Sequence, residues 1–310
     1  MFLKEDPKNK PQLTVGLCVR NCEKSVEAAL DSILDQNFLH NQMELVLVDD
    51  GSEDSTLKIV QEFVSKIDIP TKVLHTSWKG LGHARNMVIA NAGGKYILWV
   101  DGDMGLSQNY IAPLMEFMQK NTKAGIVKGK QSLTLGGNVL SILETCSRAA
   151  GRMVNYQSQK ARFKTLGTGG SIYRVEAIRQ AGGFDENLRG YGEDSDAEIR
   201  VRTMGWSLHT LDVEFSDFER YEMNWQSIWR RYWLRGYYSH YFHHKNRGFI
   251  SLYRMSPVAA FISGLLFSRR LYSLTKRKVI FLLPIQHLFK MSGWYAGFLR
   301  SHINRYEPKP

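Results

Sequence analysis

The sequence predicts an α/β protein: a mostly parallel sheet flanked by helices, followed by a helical C-terminal extension. Three observations predict it. Over the N-terminal half, short continuous apolar runs alternate with helical patterns, as in strands buried on both faces by crossover helices. Two of those runs end in acidic clusters, VDDGS and VDGD, and open parallel sheets bind ligands beyond the carboxyl ends of their strands. From Ser256 the pattern changes to apolar and aromatic blocks bracketed by Arg and Lys.

The elements follow in order. Residues 1–10 are polar and proline-flanked, lack the apolar core of a signal peptide, and read as a flexible tail. LTVGLCV, from Leu13 to Val19, is a buried strand. SVEAALDSILDQ is a helix, with Val26, Ala29, Leu30 and Ile33 at helical spacing. MELVLVDD is the second strand, STLKIVQEFVSKI the second helix and TKVLHT the third strand. GHARNMVIANA is a helix running to Gly93, and KYILWVD is the next strand. GIVKGKQSL is a further strand and NVLSILETCSRAAGRMVNYQ a helix, and GTGGSIYR is a glycine-rich approach to another strand. RVEAIRQAGGF is a short helix stopped by glycine. GEDSDAEIRVRTMGW is a helix with an acidic first turn, ending at Gly205. The expected division is a first domain over 11–222 and a basic, aromatic helical region over 223–310.

Hydrophobic content of 43% and charged content of 23% are those of a globular chain. Cys18, Cys22 and Cys146 form neither a disulfide framework nor a metal-site spacing, so a reducing cytoplasm is expected. The net charge of +11 is more informative, because no acidic residue lies between Trp225 and Glu307. Such a balance suits an anionic membrane, phosphorylated substrates or nucleic acid. Two acidic strand ends would repel nucleic acid, which is therefore not an expected partner. The blocks VAAFISGLLF, VIFLLPIQHLF and GWYAGFL all fall short of the roughly 18 apolar residues of a spanning helix. Pro284 and the basic breaks SRRLYSLTKRK and KMS also argue against a span. The blocks suit helices lying in a membrane interface; the same residues also suit a helical pair packed on the domain.

Asp101 and Asp103, split by a glycine at a strand end, read either as a turn or as carboxylates for a hard divalent cation. Glu193, Asp194 and Asp196 read either as a favourable helix N-terminus or as a catalytic acidic group. The whole set of motifs decides between these readings. ELVLVDDGSEDSTLKIV, GLGHARNMVIANAGGKYILWVDGD and GTGGSIYRVEAIRQAGGFDENLRGYGEDSDAEIRVRTMGW resemble, in that order, family 2 glycosyltransferases of the Rossmann-like GT-A fold, from about Leu13 to Arg235.

The resemblance implies inverting transfer of a sugar from a UDP- or GDP-sugar, with Mg²⁺ or Mn²⁺ bridging the diphosphate. It implies that Asp50 accepts a hydrogen bond from the base, an ionised carboxylate being able only to accept. Arg85 would lie near the nucleotide, Asp101 would meet the ribose or a metal-bound water, and Asp103 would ligate the cation. In CVRNCEKS the family's proline, aromatic and acid are replaced by Cys18, Arg20 and Cys22, leaving Asn21 and Glu23 as polar candidates. Asp194 falls at the family's base and Glu193 at the holder of an acceptor hydroxyl. Gly169 and Gly170 fall at the acceptor-side wall. Where many relatives place a late metal-binding histidine, VEFSDFERYE has none, and Asp217 or Glu219 could substitute. Processive relatives carry Gln-x-x-Arg-Trp. WQSIWRRYW has that composition with a different spacing, which implies transfer of one or a few sugars, and its Arg230 or Arg231, or Arg235 beyond, would reach the diphosphate. The acceptor is expected to be a glycan or lipid-linked, with the enzyme peripheral at the cytoplasmic face of the membrane.

Two rivals are weaker. A sugar-phosphate nucleotidyltransferase needs a glycine-rich loop after the first strand, and CVRNCEKS has no glycine. A non-enzymatic, basic membrane-binding module leaves the acidic strand ends unexplained.

Overall fold

The structure, a computed structural model, describes residues 10–132, 137–149, 156, 164–218, 223–248, 252 and 255–305. The chain forms two compact units. One comprises residues 1–130, 155–187 and 193–218; the other comprises 131–154, 188–192 and 219–310.

The first unit is built on an eight-stranded sheet in the order β3-β2-β1-β4-β7-β6-β8-β5. β1 (Leu13–Val19) pairs in parallel with β2 (Met43–Asp50) and β4 (Tyr96–Asp101), and β2 pairs in parallel with β3 (Thr71–Thr76). Every residue of β2 is buried, so the unbroken apolar runs do reflect strands covered on both faces. On one face Leu13, Val15 and Leu17 pack with α1 (Val26–Leu34), α2 (Thr56–Val64) and α4 (Ile111–Lys120). On the other, Val46, Val48, Ile97 and Trp99 pack with α3 (Leu81–Asn91), α6 (Val175–Gln180) and α7 (Glu193–Thr203). A Cβ on Gly16 would come within 2.8 Å of Val88 and 3.0 Å of Trp99, which is why α3 can lie so close to β1.

Beyond β4 the pairing reverses. β7 (Ser171–Arg174) runs antiparallel to β4 and to β6 (Ala124–Gln131), and β5 (Met104–Leu106) runs antiparallel to β8 (Ser207–Asp217). The α/β reading therefore holds, with the parallel strands gathered in the half that carries both acidic motifs. The parallel register sets Val19 against Asp49 and Cys18 against Asp101, so the two acidic ends flank the turn after β1. Because β7 is antiparallel to β4, the glycine-rich segment entering β7 meets the end of β4, where Gly170 N–H donates to Trp99 O at 2.8 Å.

The second unit contains α5 (Val139–Ala149), α8 (Trp225–Lys245), α9 (Pro257–Thr275), a 3₁₀ turn (Lys278–Leu282) and α10 (Leu283–Ile303). Asn224 and Ser227 cap α8 reciprocally. Ser256 caps α9, with Pro257 in its first turn. The two basic segments expected to separate apolar blocks differ: α9 ends inside SRRLYSLTKRK, at Thr275 with Lys276 as a left-handed cap, whereas α10 runs through KMS. Lys290 explains the second case. Its side chain is 3% exposed and is paired with the equally buried Glu144 of α5, so it belongs to the interior rather than to a break. Pro284 starts α10 instead of ending a helix. Among the described residues, no helix is long and apolar enough to cross a membrane.

Candidate active site

The turn after β1 is fastened to the loop after β2. Asn21 adopts a left-handed conformation, φ 51°, which Asn tolerates better than most residues. Its side-chain oxygen accepts from Glu53 N–H at 2.8 Å, and its own N–H donates to Ser52 Oγ at 3.1 Å. Glu23 does the same from its side, accepting from Ser55 N–H at 3.0 Å. Both expected polar candidates thus brace this edge of the site.

Asp49 and Asp50 have different work. Asp49 is fully buried and accepts from Ser52 N–H at 3.2 Å and from His75 Nδ1 at 2.8 Å. Asp50, 5% exposed, accepts from Lys79 N–H at 2.8 Å and Gly80 N–H at 3.0 Å, one on each oxygen. Each oxygen keeps a second lone pair. The same loop carries Trp78, whose ring lies 5.1 Å from the Arg20 guanidinium. Sequence reasoning missed this pair; the only signal was one aromatic in the polar, glycine-ended stretch HTSWKG.

At the end of β4, Asp101 approaches Arg85 of α3, with Oδ1 3.7 Å from Nη2. Arg85 is 3% exposed, and its Nη1 donates to Glu193 Oε1 at 2.6 Å. Trp99 and Phe184 flank the guanidinium at 6.0 and 5.5 Å. Burial works against its charge, yet Glu193, Asp101 and Asp194 together hold its pKa above the ordinary value. Arg85 is thus a strut between the second acidic strand end and the first turn of α7. It meets Glu193 across 108 positions, which sequence spacing cannot reveal.

The acidic turn of α7 is not a solvated cap. Glu193 is 5% exposed and Asp196 fully buried. Burial, with Asp194 adjacent, pushes Glu193 up to about 7 against the pull of Arg85. Asp194 is half-buried, and its Oδ1 accepts from Ser195 N–H at 2.6 Å. One turn on, Glu198 is fully buried and accepts from Leu166 and Gly167 N–H, each at 2.6 Å. Burial and Asp194 push Glu198 up to about 7, opposed by those two N–H groups and by Lys128. Lys128 also donates to Leu166 O at 2.7 Å. Sequence reasoning missed Glu198, although it lies one helical turn from Asp194.

The glycines of TGGS answer to their neighbours. A Cβ on Gly169 would stand 2.4 Å from Asp101 Oδ2, so the absent side chain makes room for that carboxylate. Gly170, at φ 77°, is held by its carbonyl, which accepts from the Tyr110 hydroxyl at 2.5 Å. A Cβ on Gly167 would lie 3.4 Å from Asp194 Oδ2.

Asp103 lies two residues past Asp101, half-buried, and its carbonyl accepts from Phe218 N–H at 2.6 Å. The β5–β8 register sets Asp217 opposite Met104, one residue beyond Asp103. Glu219 lies outside the described residues. Among the described residues, no group of three His, Cys, Asp or Glu side chains gathers to hold a metal. The donor set nevertheless fits a divalent cation that takes most of its ligands from water and phosphate. It offers hard carboxylate oxygens; Arg85 lies among Asp101, Glu193 and Asp194, and Lys128 lies near Glu198. Burial raises the Cys18 thiol to about 12, which leaves it protonated and unsuited to nucleophilic chemistry.

The family model for glycosyl transferase family 2 matches residues 14–180, more than half of the chain. The poly-β-1,6-N-acetyl-D-glucosamine synthase of Staphylococcus epidermidis is 24% identical over 240 residues, 73% of this chain and 55% of that protein. A probable glycosyltransferase of Bacillus subtilis, YdaM, is 26% identical over 249 residues, 75% of this chain and 57% of that protein. The chain therefore spans little more than half the length of these relatives. Among solved structures, the mannosyltransferase PcManGT of Pyrobaculum calidifontis, in complex with GDP-Man and Mn²⁺, superposes with a TM-score of 0.63 at 17% identity, covering 95% of this chain and 88% of that one. TarS 1–349 of S. aureus, in complex with UDP-GlcNAc, gives 0.53 at 17% identity, covering 94% and 92%. The fold is that of these GT-A glycosyltransferases, and the family match over the acidic strand ends and the glycine-rich segment establishes that the chain belongs to glycosyl transferase family 2.

Proposed function

We propose that the chain is an inverting glycosyltransferase that moves a sugar from a nucleoside-diphosphate sugar to an acceptor hydroxyl on a glycan or lipid-linked molecule. The observation that carries this reading is the Arg85 strut, which draws Asp101 and the Glu193–Asp194 turn to one place. Inversion requires a base on one side of the anomeric carbon and a charge-tolerant leaving-group site on the other. Asp194 takes the acceptor proton on a carboxylate oxygen. As the acceptor oxygen bonds to the anomeric carbon, the carbon–oxygen bond to the diphosphate breaks and the diphosphate leaves with the electron pair. Glu193, fixed by Arg85, and Glu198, which ties down Leu166 and Gly167, hold Asp194 and the glycine-rich wall of Gly169 and Gly170 in register.

Asp103, with Asp101 beside it, would hold Mg²⁺ or Mn²⁺, which supplies neutralisation of the charge on a departing diphosphate. Asp50 takes the base N–H on a remaining lone pair, beside Trp78 and Arg20. Asn21 braces that turn. The spacing of WQSIWRRYW favours transfer of one or a few sugars rather than extended polymerisation.

The direct test is a screen of UDP-GlcNAc, GDP-Man and related donors with Mn²⁺ present, scoring nucleotide release with and without candidate acceptors. No release from any UDP- or GDP-sugar would overturn the reading. Asp103→Ala should weaken donor binding about tenfold or more in calorimetry, since even outer partners of metal ligands carry that much metal affinity. Chelation of the wild type should match it; equal donor affinity with and without divalent metal would remove the metal role. Gly169→Ala tests the wall. The new methyl meets the Asp101 carboxylate, so overpacking should cost about 1–3 kcal/mol in a thermal melt. Displacing a reacting group by about 1 Å should lower kcat/KM about 10²-fold. Wild-type kcat/KM in this variant would show that the position of Asp101 does not matter.

A further inference from the structure

The second unit carries a helix whose outer face is apolar. On α9 the exposed large apolar residues are Val258, Phe261, Ile262, Leu265 and Leu266, at 68, 36, 52, 49 and 65%. They recur at helical spacing, the stripe that a water-surrounded helix would turn toward its core. The inward face is mostly small, with Ala260, Gly264 and Ser268 buried beside Leu271. Gly264 is so close to α10 that a Cβ would stand 2.6 Å from the Pro284 backbone. Ser268 is 1% exposed, and its hydroxyl lies 2.7 Å from Gly264 O and 3.0 Å from Ile280 O. α10 mixes the two patterns: Gln286 and Lys290 are buried at 0 and 2% alongside Leu283 and Trp294, while Ile285 and Ile303 are exposed at 53 and 68%.

Small residues also bring the helix backbones together beside the buried Trp294 and Phe298. Gly293 and Gly297 of α10, four apart, face α8. A Cβ on Gly297 would stand 1.9 Å from Trp233 O, and one on Gly236 of α8 would stand 1.8 Å from Trp294 O. Close backbone contact through small residues is how helices associate where the surroundings are themselves apolar.

The charge pattern selects what covers the stripe. One turn beyond Leu265 and Leu266 the same exposed face continues as Arg269 and Arg270, and Arg277 and Lys278 follow on the turn after α9. No acid occurs from Trp225 to Glu307, so a second copy seated here would oppose one basic, acid-free surface with another. An anionic lipid leaflet complements both parts, with acyl chains for the stripe and headgroups for the cations. We propose that α9, with the start of α10, lies in the plane of an anionic phospholipid bilayer and embeds its apolar stripe in one leaflet. The helix does not cross, since no described helix is long and apolar enough.

The test is flotation of the full-length protein, released from mild detergent, with phosphatidylglycerol–phosphatidylcholine vesicles and with pure phosphatidylcholine vesicles. Partitioning should be about tenfold or more greater on the anionic vesicles at low salt. High salt should reduce it without abolishing it, because apolar insertion is not screened. Leu265→Ser/Leu266→Ser should lower partitioning on anionic vesicles about tenfold or more. Arg269→Gln/Arg270→Gln should shrink the anionic preference and leave weaker, less salt-sensitive binding. Wild-type circular dichroism and melting of the variants show that the fold is kept. The proposal is overturned if the wild type stays in the soluble fraction on anionic vesicles. It is overturned equally if light scattering finds a dimer that the leucine variant converts to monomer, a second copy then being the occupant. Flotation does not depend on sugar transfer, so its failure leaves the catalytic reading standing.

Discussion

Asp194→Asn should lower kcat about 10²–10⁴-fold, the range attributable to a positioned general base, while donor affinity in the presence of Mn²⁺ stays within about twofold of wild type. The amide keeps the carbonyl that accepts from Ser195 N–H, so the turn holds its shape, but it cannot take a proton from an acceptor hydroxyl. The surroundings supply an independent control. Asp194 pushes up the pKa of both Glu193 and Glu198, so the substitution removes a negative charge from a crowded acidic group. The variant should therefore melt no lower than wild type at pH 8, and any shift should be upward. Stability gained where activity is lost is the usual signature of a strained catalytic site. Rapid-mix kinetics for kcat, calorimetry for donor affinity and a melt at pH 8 make the three readings. A variant that keeps turnover within a few-fold of wild type sinks the assignment of the base. One that loses donor binding in parallel moves Asp194 to the donor side.

The parts of the molecule that were legible in the sequence are those where one local pattern has one cause. Apolar runs such as MELVLVDD are strands because all eight residues are buried, and the parallel register then places their acidic ends side by side. The elements the pattern left out have mixed causes. β8 alternates irregularly because it is only partly covered, β5 is three residues long, and α4 begins without a side-chain cap. In the site, the residue types were readable and their partners were not. Arg85 pairs with Glu193 across 108 positions, and Glu198 holds a loop 31 and 32 positions before it. Lys290 shows the limit most plainly: in sequence it interrupts an apolar block, while in the fold it is an interior cation facing Glu144.

Arg85→Met should destabilise the protein by about 3–5 kcal/mol at pH 8, because removing one partner of a buried ion pair leaves the other charge uncompensated. The Arg85 and Glu193 side chains are 4% and 7% exposed, so solvent cannot take over the lost role. Methionine retains much of the apolar stem between Trp99 and Phe184, and the loss is therefore mostly electrostatic. Its pH dependence carries the distinctive sign. In the wild type Glu193 is raised from 4.5 to about 7. A carboxyl raised on folding contributes stability that is fully present below 4.5 and is lost as pH rises through about 7, since the folded state binds the extra proton in that window. Arg85 lowers Glu193, so its removal raises that carboxyl further and extends the window upward. The destabilisation should accordingly be largest above pH 7 and shrink toward pH 5, where Glu193 is protonated and requires no counter-charge. Arg85→Met/Glu193→Gln should recover most of the stability at pH 8 while leaving activity low, because the strut that sets Asp101 against the Asp194 turn is still missing. Denaturant melts of both variants at pH 5 and pH 8 decide the matter. Equal destabilisation at the two pH values, or no rescue by the second substitution, would mean that Arg85 contributes by packing alone and that the two acidic motifs are held together by something other than their shared guanidinium.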